Sequence, residues 1–412
     1  MAEPSATNKA LIPVLVTLML LTGVCNTLLT KYQDMICVEN CDPGNPNRRA
    51  FSQPVLQTAQ MFVGESGCWL LVGLFALISR ASRSKGYTAI PDTQEETNAA
   101  LRPLIGKDGR RPLRGLLIFL LAIPSTCDII GTTLMNGGLL LVAASIYQMT
   151  RGALVLFVGL FSVLFLKRRL FLYQWVALLV VFIGVGLVGV AGAIDKPADT
   201  DLHTRAVEIM LSIREEASQA DTGLVAVGIL MIAGAQIFTA TQFVTEEYIL
   251  ERYSIEPLKM VGWEGLFGFT ITVIGMIILH LIIGRTDAGR GREFDAISGL
   301  RQMFTIPGIA VSSVLIMISI GGFNYFGLSV TRSVSATSRS TIDTCRTLFI
   351  WIVSLGLGWE TFKWLQVAGF ALLVYGTFLF NDIVGAPWAC CVKRRLEQME
   401  APLLEEEPIE HH

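Results

Sequence analysis

Apolar runs, about ten of them and each about 20 residues long, leave this chain few ways to fold. As an α-helix, a run of that length matches the hydrocarbon thickness of a bilayer, where only helices and closed barrels satisfy their own backbone hydrogen bonds. The runs are Leu11 to Thr30, Pro54 to Ser79, Leu116 to Asn136, Val142 to Leu166, Leu172 to Ile194, Gly223 to Leu250, Pro257 to Gly284, Pro307 to Val330, Ser335 to Leu357 and Phe362 to Val384. Hydrophobic residues make up 52% of the chain and charged ones 16%, with a mean hydropathy of +0.56, which excludes an ordinary soluble domain. The expected fold class is an all-α polytopic membrane protein. Its net charge is -2 and its basic residues sit in short clusters at run ends, so the bilayer is a partner and nucleic acid is not.

The chain repeats itself after about 195 residues. Asp128-x-x-Gly131 is echoed by Asn324-x-x-Gly327, Arg151 by Arg346, and Gln174 with Gly184 by Gln366 with Gly376. Such a period in an apolar chain points to a transporter made of two inverted five-helix repeats. The first covers 11–194, interrupted by a cytosolic loop at 80–114, and the second 223–384; residues 195–222 link them, and 1–10 and 385–412 are the ends. An even number of spans puts both ends on one side. The excess of Lys and Arg in 80–114, in the Lys167-Arg168-Arg169 turn and in the tail makes that side the cytosol.

The first run lacks a basic leader and a cleavage site, so it reads as a retained helix. The 80–114 loop, rich in Pro, Gly and charge, reads as a flexible linker. It carries Gly86-Tyr87-Thr88-Ala89-Ile90, which either resembles a tyrosine-based lysosomal or vacuolar sorting signal or is a solvated tyrosine; an endomembrane location, lysosome or vacuole before Golgi, is the expectation. Asp201 to Gln219 and Glu293 to Met303 place apolar residues at helical spacing, as interfacial lids or as bland surface helices. No Asn-x-Ser/Thr sequon occurs, so N-glycosylation is not expected. Cys37 and Cys41 share the first hydrophilic loop and can pair if it is lumenal, Cys390 and Cys391 beside a basic cluster suit palmitoylation, and the other cysteines sit in apolar runs. No His/Cys spacing fits a metal, and no cofactor is expected.

Charge inside the spans is the main chemical signal, because an ionisable group in a bilayer faces the protein interior or a wet cavity. Arg339, Asp343 and Arg346 share one face of the ninth run. Asp343 either pairs with a neighbouring arginine or meets a solute. Arg151 has no acid at helical spacing, so its partner is another helix, Asp128 or Glu65, or a bound anion that suits the guanidinium fork. The substrate-binding candidates are Asp128, Tyr147, Gln148, Arg151, Asn324, Asp343 and Arg346. Glu65 and Glu264 lie in corresponding Gly-rich runs, either carrying a proton that couples transport to a pH gradient or bonding a backbone carbonyl. His280, near a span end, reads as interfacial. The glycines of the fifth and tenth runs (Gly184, Gly186, Gly189, Gly192, Gly369, Gly376) allow close helix approach and can support a homodimer.

The ten runs in two halves, with Ser145-Ile-Tyr-Gln-Met-Thr-Arg-Gly152, the Lys167-Arg-Arg169 turn and Gln174, resemble the drug/metabolite transporter superfamily. Thr22-Gly23, Asn26-Thr27 and Lys31, together with Gln236 and Gln242-Phe-Val-Thr-Glu246, carry the resemblance further. It is narrowest to the nucleotide-sugar-transporter-like solute carriers of family 35, subfamily F, which are similar to chloroquine-resistance transporters. The resemblance implies a secondary transporter of a small organic solute, anionic or zwitterionic, working by alternating access around a cavity between helices one to four and six to nine. It implies no enzyme. An intramembrane aspartyl protease needs a Gly-x-Gly-Asp setting, which neither Thr126-Cys-Asp-Ile nor Ile342-Asp-Thr-Cys supplies. A receptor or adaptor of the same fold that transports nothing is the alternative.

Overall fold

The structure, a computed structural model, describes residues 6–41, 49–83, 110–141, 150–194, 222–286, 294–358, 362, 364–381 and 383–384. Its helices are α1 (Ala6–Met35), α2 (Pro54–Ser66), α3 (Cys68–Arg83), α4 (Ala122–Leu141), α5 (Leu154–Phe165), α6 (Leu172–Ile194), α7 (Thr222–Arg252), α8 (Pro257–Leu279), α9 (Ala296–Thr305), α10 (Pro307–Ser333), α11 (Ala336–Gly356) and α12 (Trp364–Phe380). Four short strands, β1 (Cys37–Glu39), β2 (Arg49–Ala50), β3 (Arg111–Pro112) and β4 (Tyr253–Ser254), pair two by two at helix ends. The fold is that of an all-α polytopic membrane protein. Among the described residues six segments are long and apolar enough to cross a bilayer, and Leu154–Phe165, Leu172–Val188 and Trp364–Phe380 are shorter apolar helices.

Helix boundaries follow local chemistry. Pro54, Pro257 and Pro307 open α2, α8 and α10, where a missing N–H is harmless. Asp295 and Ser335 cap α9 and α11 by accepting the N–H groups of Ser298 and Ser338. Pro124, lacking the N–H that would bond the Leu120 carbonyl, sits just after a stretch of 3-10 helix over Gly115–Leu121, so the third span begins tight and relaxes into α4. The second expected run is a helix pair, α2 and α3, joined at Gly67, whose N–H still reaches the Val63 carbonyl at 2.9 Å. At the other boundary type, α8 ends in a π-helical turn, His280–Gly284. The short amphipathic helix expected from Glu293 is α9, beginning at Ala296. Residues 201–219, the tyrosine pattern at 86–90, and Cys390 with Cys391 lie outside the described residues.

The main helix contacts are α1 on α10, α2 on α8, α4 on α7 and α6 on α12, while α5 packs on α7 and, less extensively, on α11. Glycine permits the closest of these approaches. A Cβ on Gly64 of α2 would stand 2.2 Å from the Met317 carbonyl oxygen of α10, and one on Gly265 of α8 would stand 2.4 Å from the Ser66 amide. Of the fifth- and tenth-run glycines, Gly184, Gly369 and Gly376 serve close approach within the chain: a Cβ on Gly184 would stand 2.8 Å from the Gly369 carbonyl oxygen, and one on Gly369 would stand 2.9 Å from that of Gly184, across α6 and α12.

Polar clamps hold both ends of the bundle. At the Met35 end the fully buried Gln33 donates to the Ser313 hydroxyl (2.8 Å) and the Ser312 hydroxyl (3.3 Å) of α10, and its oxygen accepts from Gln57 and Gln60 of α2, each at 3.2 Å. Cys37 and Cys41, beside this end, form a disulfide. At the opposite end Lys167 takes a left-handed conformation, φ +54°. The turn carries Arg168 onto Glu247 and Glu251 of α7, each at 2.6 Å.

Candidate functional site

The middle of the bundle holds charge where the helix pairs converge. Glu65 (α2), Asp128 and Ser125 (α4), Gln242 and Glu246 (α7), Glu264 (α8), Asn324 (α10) and Arg339 (α11) line one cavity, closed on its apolar side by Phe62 and Leu328. It encloses about 10 Å³, on the order of one water molecule. A space of that size admits no organic solute at this point.

Four carboxyl groups share that cavity with one guanidinium. Arg339 is 1% exposed and ion-paired with Glu246, also 1% exposed. Its guanidinium lies over the Phe243 ring at 4.2 Å, and Gly327 supplies the room, since a Cβ there would meet Arg339 Nε at 2.8 Å. Glu246 also accepts from Gln242 Nε2 at 3.1 Å. Asn324 donates its amide to Glu65 at 2.6 Å. Ser125 Oγ is taken by the backbone carbonyls of Leu121 and Glu264, both at 3.0 Å. Glu264 Oε1 and Gln242 Oε1 have no hydrogen-bond partner among the described residues.

A second charged group lies up to two turns along α11 from Arg339. Arg346 pairs with Asp343 at 3.2 Å, stacks on Phe323 at 4.8 Å, and fits against Gly23 of α1, where a Cβ would meet its Cδ at 2.7 Å. Arg151, half-buried ahead of α5, is within electrostatic range of Arg346 and has no acidic partner among the described residues.

The residues expected to share one site therefore divide. Asp128 and Asn324 join Glu65 and Glu264 in the acid cavity, whereas Arg151, Asp343 and Arg346 form the second group; Tyr147 and Gln148 lie outside the described residues. Asp343 makes the local pair its spacing allowed. Asp128 and Asp343 stand in different groups, which is not the shared dyad an aspartyl protease needs. His280 approaches Asp295 at 3.5 Å by the α8 end, away from both groups. Ser125, Gln242, Glu246 and Arg339 line the cavity without having been among the site candidates, and Glu246 is the one whose charge was overlooked. Followed by Glu247, Glu251 and Arg252, it reads as the polar end of a span, and only the packing of α7 against α11 shows it buried.

Apolar spans around a buried, charged centre make this a polytopic membrane protein, and its relatives are transporters. A sequence model for the family described as Nucleotide-sugar transporter matches residues 117–239. Human Solute carrier family 35 member F6 is 36% identical over 368 residues, 89% of this chain and 87% of that protein, and its orangutan (Pongo abelii) counterpart is 37% identical over 368 residues with the same coverage. An uncharacterized protein of Schizosaccharomyces pombe is 36% identical over 372 residues, 90% of this chain and 98% of its own. A solved crystal structure, 12% identical, superposes with a TM-score of 0.51 over 90% of this chain and 98% of that one, which speaks to the fold alone. The chain belongs to solute carrier family 35 and is a nucleotide-sugar-transporter-like membrane protein.

Proposed function

We propose that this protein is a secondary transporter of a small organic solute, anionic or zwitterionic, that works by alternating access across ten spans in two inverted five-helix repeats. The observation that carries the reading is the helix pairing. Advancing every span by five places turns the α1–α10 pair into the α7–α4 pair, turns the α5–α7 pair into the α11–α1 pair, and returns α2–α8, α5–α11 and α6–α12 each to itself. That exchange is what a two-fold axis in the membrane plane produces, and five spans per half, an odd number, turn the second half over. The halves are 11–194 and 223–384. The Gln33 clamp and the Arg168 clamp then open in turn. Both ends of the chain face the cytosol in this reading, in an endomembrane, lysosome or vacuole before Golgi. A homodimer would use outer faces of α6 and α12, such as that of Gly186, around which a Cβ meets nothing within 4 Å.

Arg151 and Arg346 attract the solute. A half-buried guanidinium with no acid beside it is suited to a carboxylate or phosphate, and nucleotide-sugar-like or other organic anions offer one. In proteoliposomes loaded with the purified protein, Arg151→Ala is expected to abolish concentrative uptake of any anionic or zwitterionic solute that thermally stabilises the parent. Uptake unchanged in Arg151→Ala, with the protein correctly inserted, refutes the role. Coupling runs through Glu65 or Glu264: an imposed pH gradient is expected to drive uptake, and Gln at both positions to remove that drive. Transport indifferent to the gradient, and intact in the double variant, refutes coupling.

A further inference from the structure

We propose that Glu264 is the residue that binds and releases the coupling proton, and that Glu246 with Arg339 is a standing ion pair that keeps the cavity selective for a single small cation. The inference deepens the coupling reading above by assigning it to one side chain.

Charge and size point the same way. Glu65, Asp128, Glu246 and Glu264 face one Arg339, so full ionisation would leave three negative charges uncompensated in an apolar surround. That charge must be offset by protons or other cations, and a space of about 10 Å³ takes nothing larger than a water-sized one. No three acids, thiols or imidazoles among the described residues converge with metal-binding geometry, which favours a proton over a metal ion.

Partner bookkeeping then selects the acid. Glu246 is held by Arg339 and Gln242, Glu65 by Asn324, and Asp128 by the neighbouring Thr132. Ser125, nearest to α8, spends its hydroxyl on backbone carbonyls. Glu264, 7% exposed, is left with an acceptor oxygen that nothing satisfies, and Gln242 presents a second such oxygen on the same wall. Two unmatched acceptors lining one cavity call for a donor. A hydronium ion that gives its proton to the Glu264 carboxylate and departs as water leaves a neutral acid whose O–H can serve as that donor. The titratable and charged groups facing Glu264 are Glu65 with Cys68 beside it, Asp128 with Cys127 beside it, Glu246, and Arg339.

The test uses protons as the only ligand. Infrared difference spectra of the full-length protein in lipid nanodiscs, recorded across a pH titration without solute, report the carbonyl stretch of neutral carboxylic acids. A titrating band is expected in the parent, retained in Glu65→Gln, and lost in Glu264→Gln. If Glu264→Gln does not fold, Glu264→Asp decides: a displaced band or midpoint supports the assignment, and an unmoved one overturns it. A band that survives in Glu264→Gln also overturns it. Repeating the titration with sodium in place of choline separates the two possible cations, since a sodium-dependent midpoint would make this an alkali-cation site and overturn proton binding. Uptake plays no part in this readout, so a normal band beside absent transport would fault the transport reading alone.

Discussion

Arg339→Ala is expected to lower folded stability by about 3–5 kcal/mol, the usual result of stripping one partner from a fully buried ion pair. The side chain cannot be spared by solvent, because both it and Glu246 are 1% exposed. Removing the guanidinium leaves four carboxyl groups in a cavity of about 10 Å³ without a resident cation, and it opens the space over Phe243. Chemical or thermal unfolding of purified protein in micelles measures the loss. Glu246→Gln on the same background is expected to restore part of it, because the charge left unpaired is then gone. Arg339→Ala unfolding at the parent's midpoint would mean that Glu246 finds another counter-charge and that the pair does not organise the cavity.

The second large effect is expected at Gly64. An alanine Cβ would lie 2.2 Å from the Met317 carbonyl oxygen and 2.6 Å from its Cα, both backbone atoms that cannot swing aside. Overpacking of this kind costs about 1–3 kcal/mol. The greater loss should be functional, since forcing α2 from α10 stretches the 2.6 Å bond between Glu65 and Asn324 that depends on their spacing. Gly275→Ala on α8, whose Cβ meets nothing within 4 Å, is the matched control and should not lower stability. Equal melting of the two variants would sink the claim that glycine sets the α2–α10 distance.

The membrane-spanning helical character was legible in the sequence because the bilayer imposes a length on any apolar helix that crosses it, and six of the expected runs are segments of that length among the described residues. The charges within them were legible for a related reason, since Asp128, Arg151, Glu65 and Glu264 are conspicuous in apolar company. Spacing on a single helix also offered the Asp343–Arg346 pair, three residues apart, as one of the outcomes open to Asp343. The echoes of Asp128 and Arg151 in Asn324 and Arg346 are the sequence features on which the proposed repeat rests. Spacing could not reveal which of these groups share a cavity, because that depends on which helices touch.

Sequence alone determined that this is a helical membrane protein with ionisable residues inside its spans, by hydrophobic length and by the cost of charge in lipid. Tertiary structure alone decided how those charges are grouped. Packing of α4 on α7 and of α7 beside α11 carries Asp128 to Glu246 and Arg339, away from the Arg151 with which it had seemed to belong. The physical reason is that electrostatic partnership falls with distance in space, and residues far apart in this chain meet only when the two halves interleave.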